Sequence, residues 1–173
     1  MIDPLTIHQG AFQHTVDVWN LRCIDKPEAA KDGTRAAHAL HQTQGWLIGT
    51  GGEVILIARR GATAVGWLGM KPGRWIGTDL AMWQVFELFV IESERSAYGA
   101  GYRLARCALR ILALMKIERF QVLTENRKLE RFAERALGLG RVGVILEGGV
   151  HAGTVRRVAS SDIGQEVHEA SCR

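Results

Sequence analysis

Between Met82 and Met115 the hydrophobic pattern changes twice, and this succession restricts the folds open to the chain more than any other feature. Met82 to Ile91 carries Val85, Phe86, Leu88, Phe89, Val90 and Ile91, a run apolar on both faces, as in a strand covered from two sides. Glu92 to Gly101 is polar and ends with glycines at 99 and 101. Tyr102 to Met115 then repeats apolar residues at helical spacing, with Leu104, Cys107, Ala108, Ile111, Leu112 and Met115 on the core side. A central strand that runs through a glycine loop into an amphipathic helix belongs to a sheet with helices packed on it.

The flanking segments fit the same plan. Ala11 to Cys23 spaces Phe12, Val16, Trp19 and Cys23 by three and four residues, which predicts a helix with these four on its apolar face. A second helix is expected over Glu28 to Gln42, with Pro27 near its first turn and Gly33 weakening it. Val54 to Ala58 and Thr63 to Met70 read as an antiparallel hairpin turned at Gly61-Ala62, ended by Lys71-Pro72-Gly73. Phe120 to Leu123 gives a further strand, and Asn126 can cap a helix to about Leu137. Val142 to Leu146 and Val150 to Val158 flank a turn at Gly148-Gly149. The expected fold is α/β in the broad sense (α+β): a mixed, mostly antiparallel central sheet with helices on both faces. One domain is expected over 1–158, with a polar tail at 159–173.

Hydrophobic residues make up 47% of the 173 and charged residues 23%, a globular composition with enough apolar mass for a core. No apolar run approaches the roughly 18 residues of a membrane span, and Met1 to Gly10 has no secretory pattern. Three widely spaced cysteines, Cys23, Cys107 and Cys172, read as reduced thiols, so the expected location is cytoplasmic, away from membranes. A net charge of +4 favours anionic partners without a run of Lys and Arg that would mark a dedicated nucleic-acid binder.

The loop itself suits a diphosphate. Glycines at 99 and 101 permit close backbone approach, and the free N–H groups of the following helix start present the positive end of its dipole. With strand, Gly99-Ala100-Gly101 and helix in this order, the sequence resembles the GNAT superfamily of N-acetyltransferases, whose Arg/Gln-x-x-Gly-x-Gly/Ala signature holds the CoA pyrophosphate. The resemblance covers about Val54 to Val158 in element order. Strict spacing puts Ser96 where that signature has Arg or Gln, and Arg95 fits with one extra loop residue.

The resemblance implies an acyl-CoA-dependent N-acyltransferase that takes acetyl-CoA as donor and an amine as acceptor, whether small molecule, protein or nucleic acid. It implies cofactor contacts from Leu88, Phe89 and Val90 on the strand, from Arg95, Ser96, Ala97, Tyr98, Gly99, Ala100, Gly101 and Tyr102 around the loop, and from Asn126. It also points to Glu87 as general base. A carboxyl among apolar strand neighbours suits that work, and a sheet carboxylate held in an ion pair is the other reading of the same residue. The tyrosine that the family commonly uses as acid has no counterpart at Phe132 and Ala133, and Tyr98 and Tyr102 sit elsewhere. That departure, with Ser96, leaves open a GNAT-fold binding or structural protein that acts on a macromolecular partner. Pairing with a second copy is also open, through the edge of the closing hairpin.

Other signals carry less. Gly138-Leu139-Gly140-Arg141-Val142-Gly143 matches a dinucleotide fingerprint but follows a helix and enters a strand, the reverse of the required context. His38 and His41 lack further ligands at metal spacing, so no metal is expected. Cys107 reads as packing, and no Gly-x-Ser-x-Gly elbow occurs. Arg103, Arg106 and Arg110 form a basic stripe beside the loop, either a hold for the adenosine phosphates or a solvated outer face. Trp67, Trp75 and Trp83, with Lys71 and Arg74, border the connection between the last two strands before the loop, as acceptor-site or core residues.

Overall fold

Gly61 adopts a φ of 58°, a left-handed conformation cheap only for glycine, and the turn it makes joins two apolar runs into a hairpin. These runs are β2 (Val54–Arg60) and β3 (Thr63–Arg74), with Leu56 opposite Leu68 and Ile57 opposite Trp67. The computed structural model describes residues 3–74, 81–96, 98–117 and 120–122, and beyond them residues 131, 134, 147–148 and 155–156. The chain divides into two compact units, Met1–Asn126 and Arg127–Arg173.

In the first unit the hairpin is preceded by β1 (Leu5–Gln9), α1 (Thr15–Asp25) and α2 (Gly33–Ile48). It is followed by β4 (Ala81–Val90), α3 (Ala100–Leu114) and β5 (Phe120–Val122). The sheet order is β1-β2-β3-β4-β5, antiparallel throughout except for the parallel pair β4–β5. Sheet and helices form two cores. On one face Leu56, Leu68, Met70, Trp83, Val85 and Val90 pack with Ala100, Leu104, Ala108 and Leu112 of α3. On the other, Ile55, Ile57, Trp67 and Phe89 pack with Val18 and Leu21 of α1 and Leu47 of α2. The expected architecture, a mostly antiparallel mixed sheet with helices on both faces, is the one observed.

Several local expectations are corrected. β1 is an additional strand, paired with β2 from Leu5 opposite Arg60 to Gln9 opposite Leu56. The buried face of α1 carries Thr15, Val18, Leu21 and Arg22, while Phe12 and Val16 are 56% and 66% exposed. The helix turns its most apolar stripe away from the core because Arg22 is satisfied inside: its Nη1 donates to Ala39 O at 3.0 Å and to Thr43 Oγ1 at 2.7 Å. Pro27–Ala30 is a separate 3-10 turn, and α2 starts at Gly33, where Asp32 accepts from Thr34 N at 2.9 Å as a side-chain cap. Lys71-Pro72-Gly73 continues β3, opposite Gln84, Trp83 and Met82. Pro72 is tolerated there because the last β2 pairing is Val54 with Met70, so β3 has passed beyond that neighbour. Met115 is 44% exposed, outside the core face of α3.

In the second unit β6 (Glu147–Gly148) pairs antiparallel with β7 (Val155–Arg156), with Gly148 opposite Val155. Gly148 therefore lies in a strand and not in the turn expected of it. The helix expected after Asn126, apart from residues 131 and 134, and the runs at 142–146 and 159–173 lie outside the described residues.

Candidate functional site

The site grows from an irregularity in β4. Gly69 pairs with Glu87 but Met70 pairs with Val85, so Phe86 is an extra residue without a partner, a β-bulge. The insertion reverses the alternation of side chains. Val85 packs on the α3 face, yet Phe86 and Phe89 both face α1 and α2, which strict alternation from Val85 forbids. Glu87 follows Phe86 to that side, where its Oε1 accepts from Lys26 Nζ at 2.6 Å, just beyond the end of α1. The Glu87 side chain is 11% exposed.

Past the bulge, β4 has one free edge. Ile91 N–H donates to Val65 O at 3.0 Å, so Glu87, Phe89 and Ile91 address β3 while Leu88 and Val90 turn their peptide groups the other way. On that side the described part of β5 accompanies β4 only from Trp83 to Val85. The sheet thus opens at Leu88 to Val90. Arg95 checks this geometry, because its Nε reaches Val90 O at 2.6 Å while its guanidinium lies 5.6 Å from the Phe89 ring.

At the mouth of the opening, α3 begins without a side-chain cap on Gly99. Its N-terminal N–H groups are the unsatisfied donors that an anion can take. The two glycines differ. A β-carbon on Gly99 would collide with Glu94 O and Ser96, so the loop's own close turn requires this glycine. A β-carbon on Gly101 would meet only Val90 Cγ2, at 3.6 Å, an ordinary contact that leaves the space in front of the helix start open. The loop is braced from β2 by Arg60, whose Nε and Nη2 donate to the two Glu94 oxygens at 2.7 Å each. Those hydrogen bonds hold the Glu94 carboxyl below its ordinary range.

The sequence-predicted residues therefore fall into two groups. Leu88 and Val90 line the free edge, and Ser96, Gly99, Ala100, Gly101 and Tyr102 form the loop and first helical turn. Arg95 is engaged at the end of β4. Tyr98 is 77% exposed and meets Tyr102 edge to face at 5.4 Å. Phe89 contributes its peptide groups to β3 and its ring to the core. Ala97 and Asn126 lie outside the described residues. Of the basic stripe, Arg103 donates to Leu5 O at 3.0 Å and Arg106 lies 6.0 Å from the Tyr102 ring. Trp67 and Trp83 are core residues on opposite faces, and Trp75 lies outside the described residues.

Sequence reasoning did not foresee the polar cluster around Glu87. Arg22, 9% exposed, has its guanidinium 4.5 Å from the Trp46 ring, and burial pushes its pKa below the ordinary value, opposed by Glu87. Burial raises the Asp25 carboxyl above its ordinary value; Lys26 opposes this and Glu87 adds to it. Trp46 continues into an aromatic group, 5.8 Å from Trp67 and 4.8 Å from Phe86, with Lys71 Nζ 5.6 Å from the Phe86 ring. Residues from α1, α2, β3 and β4 meet here, and no local pattern in the sequence marks that meeting.

No protein-family model matches the chain, and no curated protein matches it significantly. Solved structures do. An aminoglycoside N-acetyltransferase, AAC(6')-Iy in complex with CoA, superposes with a TM-score of 0.69 at 17% identity, over 87% of this chain and 97% of that one. A GCN5-related N-acetyltransferase from Ralstonia eutropha JMP134 gives 0.62 at 16% identity, over 84% and 98%. The chain has the GNAT fold. A ribosomal-protein-alanine N-acetyltransferase from Brucella melitensis biovar Abortus 2308 shares it too, at a TM-score of 0.60 and 13% identity over 87% of this chain and 100% of that one. Among the described residues of this GNAT fold, no helix is long and apolar enough to cross a membrane, and no group of three or more His, Cys, Asp or Glu could hold a metal ion. His38 and His41 are exposed on α2.

Proposed function

We propose that the chain is an acyl-CoA-dependent N-acyltransferase, moving an acetyl group from acetyl-CoA to an amine. The observation that carries this is the uncapped start of α3 beside the free edge of β4. The N–H groups at Ala100 to Tyr102 would hold the diphosphate, and the peptide groups of Leu88 with the N–H of Val90 would pair with the amide-bearing arm of the donor. When bound, the donor supplies a thioester carbonyl. Glu87 then has the position to take a proton from an acceptor ammonium, since it already holds one ammonium, that of Lys26. A cluster of aromatic rings and carboxylates around Glu87 is chemistry suited to a cationic acceptor.

A thermal-shift titration with acetyl-CoA tests the reading. At a hundredfold over its dissociation constant the ligand should stabilise the protein by about 2.7 kcal/mol. Glu87→Gln should then lower turnover of test amines more at neutral than at high pH, where the amine is already deprotonated. Ser96 at the signature position and the lack of a tyrosine near Glu87 favour a second reading, a GNAT-fold binding protein with a macromolecular partner. No shift at millimolar CoA would select it.

A further inference from the structure

Among the described residues, one amine already stands where an acceptor must stand. Lys26 Nζ lies 2.6 Å from Glu87 Oε1, the hydrogen bond through which a base takes a proton from an ammonium. Lys26 directly follows α1, and its N–H donates to Arg22 O at 2.8 Å, so its backbone is fixed to the helix end. Its side chain is 49% exposed, so it can move about Glu87 without disturbing the core. Apart from Lys71, the other cations nearby are guanidinium groups. Arg22 is held by Ala39 O, Thr43 Oγ1 and Gln42 Oε1, and Arg95 by Val90 O. Guanidinium stays protonated and offers no lone pair, so the nucleophile is a lysine, and Lys26 is the one in contact with Glu87. Lys71, 5.6 Å from the Phe86 ring, is the rival amine across the bulge.

We infer that Lys26 is an acyl acceptor of its own chain, with Glu87 as its base, a conclusion that rests on the acyltransferase reading above. Lys26 gives one ammonium proton to Glu87, and its freed lone pair attacks the acyl carbon of the acyl-CoA thioester. The C–N bond forms and the C–S bond breaks. A second nitrogen proton goes to the departing thiolate and the third stays in the amide, so the products are acyl-Lys26, the free thiol of CoA and one proton passed by Glu87 to solvent. No electron changes hands. The modified side chain is neutral, its ion pair is gone, and Glu87 is released for an amine from outside.

The purified full chain, incubated with acetyl-CoA and mapped by peptide mass spectrometry, tests this against Lys31, Lys71, Lys116 and Lys128. Lys26 should acquire acetyl about a hundredfold faster than the other four, the low end of what a positioned base contributes, at a rate independent of protein concentration. Glu87→Gln should erase the preference. Equal labelling of all five lysines, or a preference that survives Glu87→Gln, overturns the inference. A readout without any donor comes from reductive methylation with carbon-13. The NMR signal of methylated Lys26 should move between wild type and Glu87→Gln while those of Lys31 and Lys116 stay, and an unmoved Lys26 signal denies the contact in solution. Thermal shift with CoA separates the two levels. A shift without Lys26 acylation sinks this inference alone, and neither shift nor acylation sinks the acyltransferase reading with it.

Discussion

The ring of Phe86 fills the space above Gly69 in which a β-carbon would stand. Glycine on β3 is thus the partner of the bulge on β4, and the bulge turns Glu87 towards α1. Gly69→Ala should therefore displace the ring or flatten the bulge and cost about 1–3 kcal/mol, the usual penalty of overpacking. Phe86→Leu should relieve the clash, so the double variant should lose less than the sum of the singles in urea denaturation. Additive losses would separate the two residues.

The bulge also explains how far the sequence could be read. The apolar run at 82–91, the loop and α3 were legible because each has a strong local pattern: β-branched and aromatic density, then glycine, then helical period. The facing of Glu87 was not, because one unpaired residue at Phe86 changes which side every later residue occupies and leaves no mark in composition. The α1 face was misread for a related reason. Phe12 and Val16 look like core, but the helix buries Arg22, whose donors are met by α2 residues far along the chain. β1 was missed because Thr6, His8 and Gln9 dilute its pattern, and its strand character comes from pairing with β2.

The two glycines of the loop should respond differently. Gly99→Ala forces its β-carbon into Glu94 O and Ser96, so the loop must open and both stability and acetyl-CoA binding should fall. Gly101→Ala meets only Val90 Cγ2 at 3.6 Å and lies inside α3, where alanine favours the helix by about 0.8–1.0 kcal/mol. It should be at least as stable as wild type in urea and keep the acetyl-CoA thermal shift, because the methyl group lies against Val90 and leaves the space in front of the helix start open. An acetyl-CoA shift that survives Gly99→Ala unchanged would remove the diphosphate from this place.

The Arg60–Glu94 pair sets a pH dependence. Its two hydrogen bonds hold the folded carboxyl of Glu94 below the unfolded value. The stabilisation is therefore complete above the unfolded pKa and is lost as pH falls through the depressed folded one. Glu94→Gln should be less stable than wild type at neutral pH, and the two denaturation curves should converge in acid below the ordinary carboxylate range. A gap that stays constant with pH would assign the effect to shape instead of charge.

The C-terminal end of α3 holds a strained residue. Lys116 has a φ of 57°, and its left-handed turn lets Ile117 N donate to Leu112 O at 2.9 Å, closing the helix in the manner usually given to glycine. The side chain costs about 1–2 kcal/mol in that conformation relative to an unstrained one. Glycine has no such cost but loses more entropy on folding, so Lys116→Gly should gain about 1 kcal/mol at most. The urea midpoint should rise with an unchanged slope, since the folded surface is the same. Lys116→Val should fall in stability, because a branched β-carbon raises the strain that glycine removes.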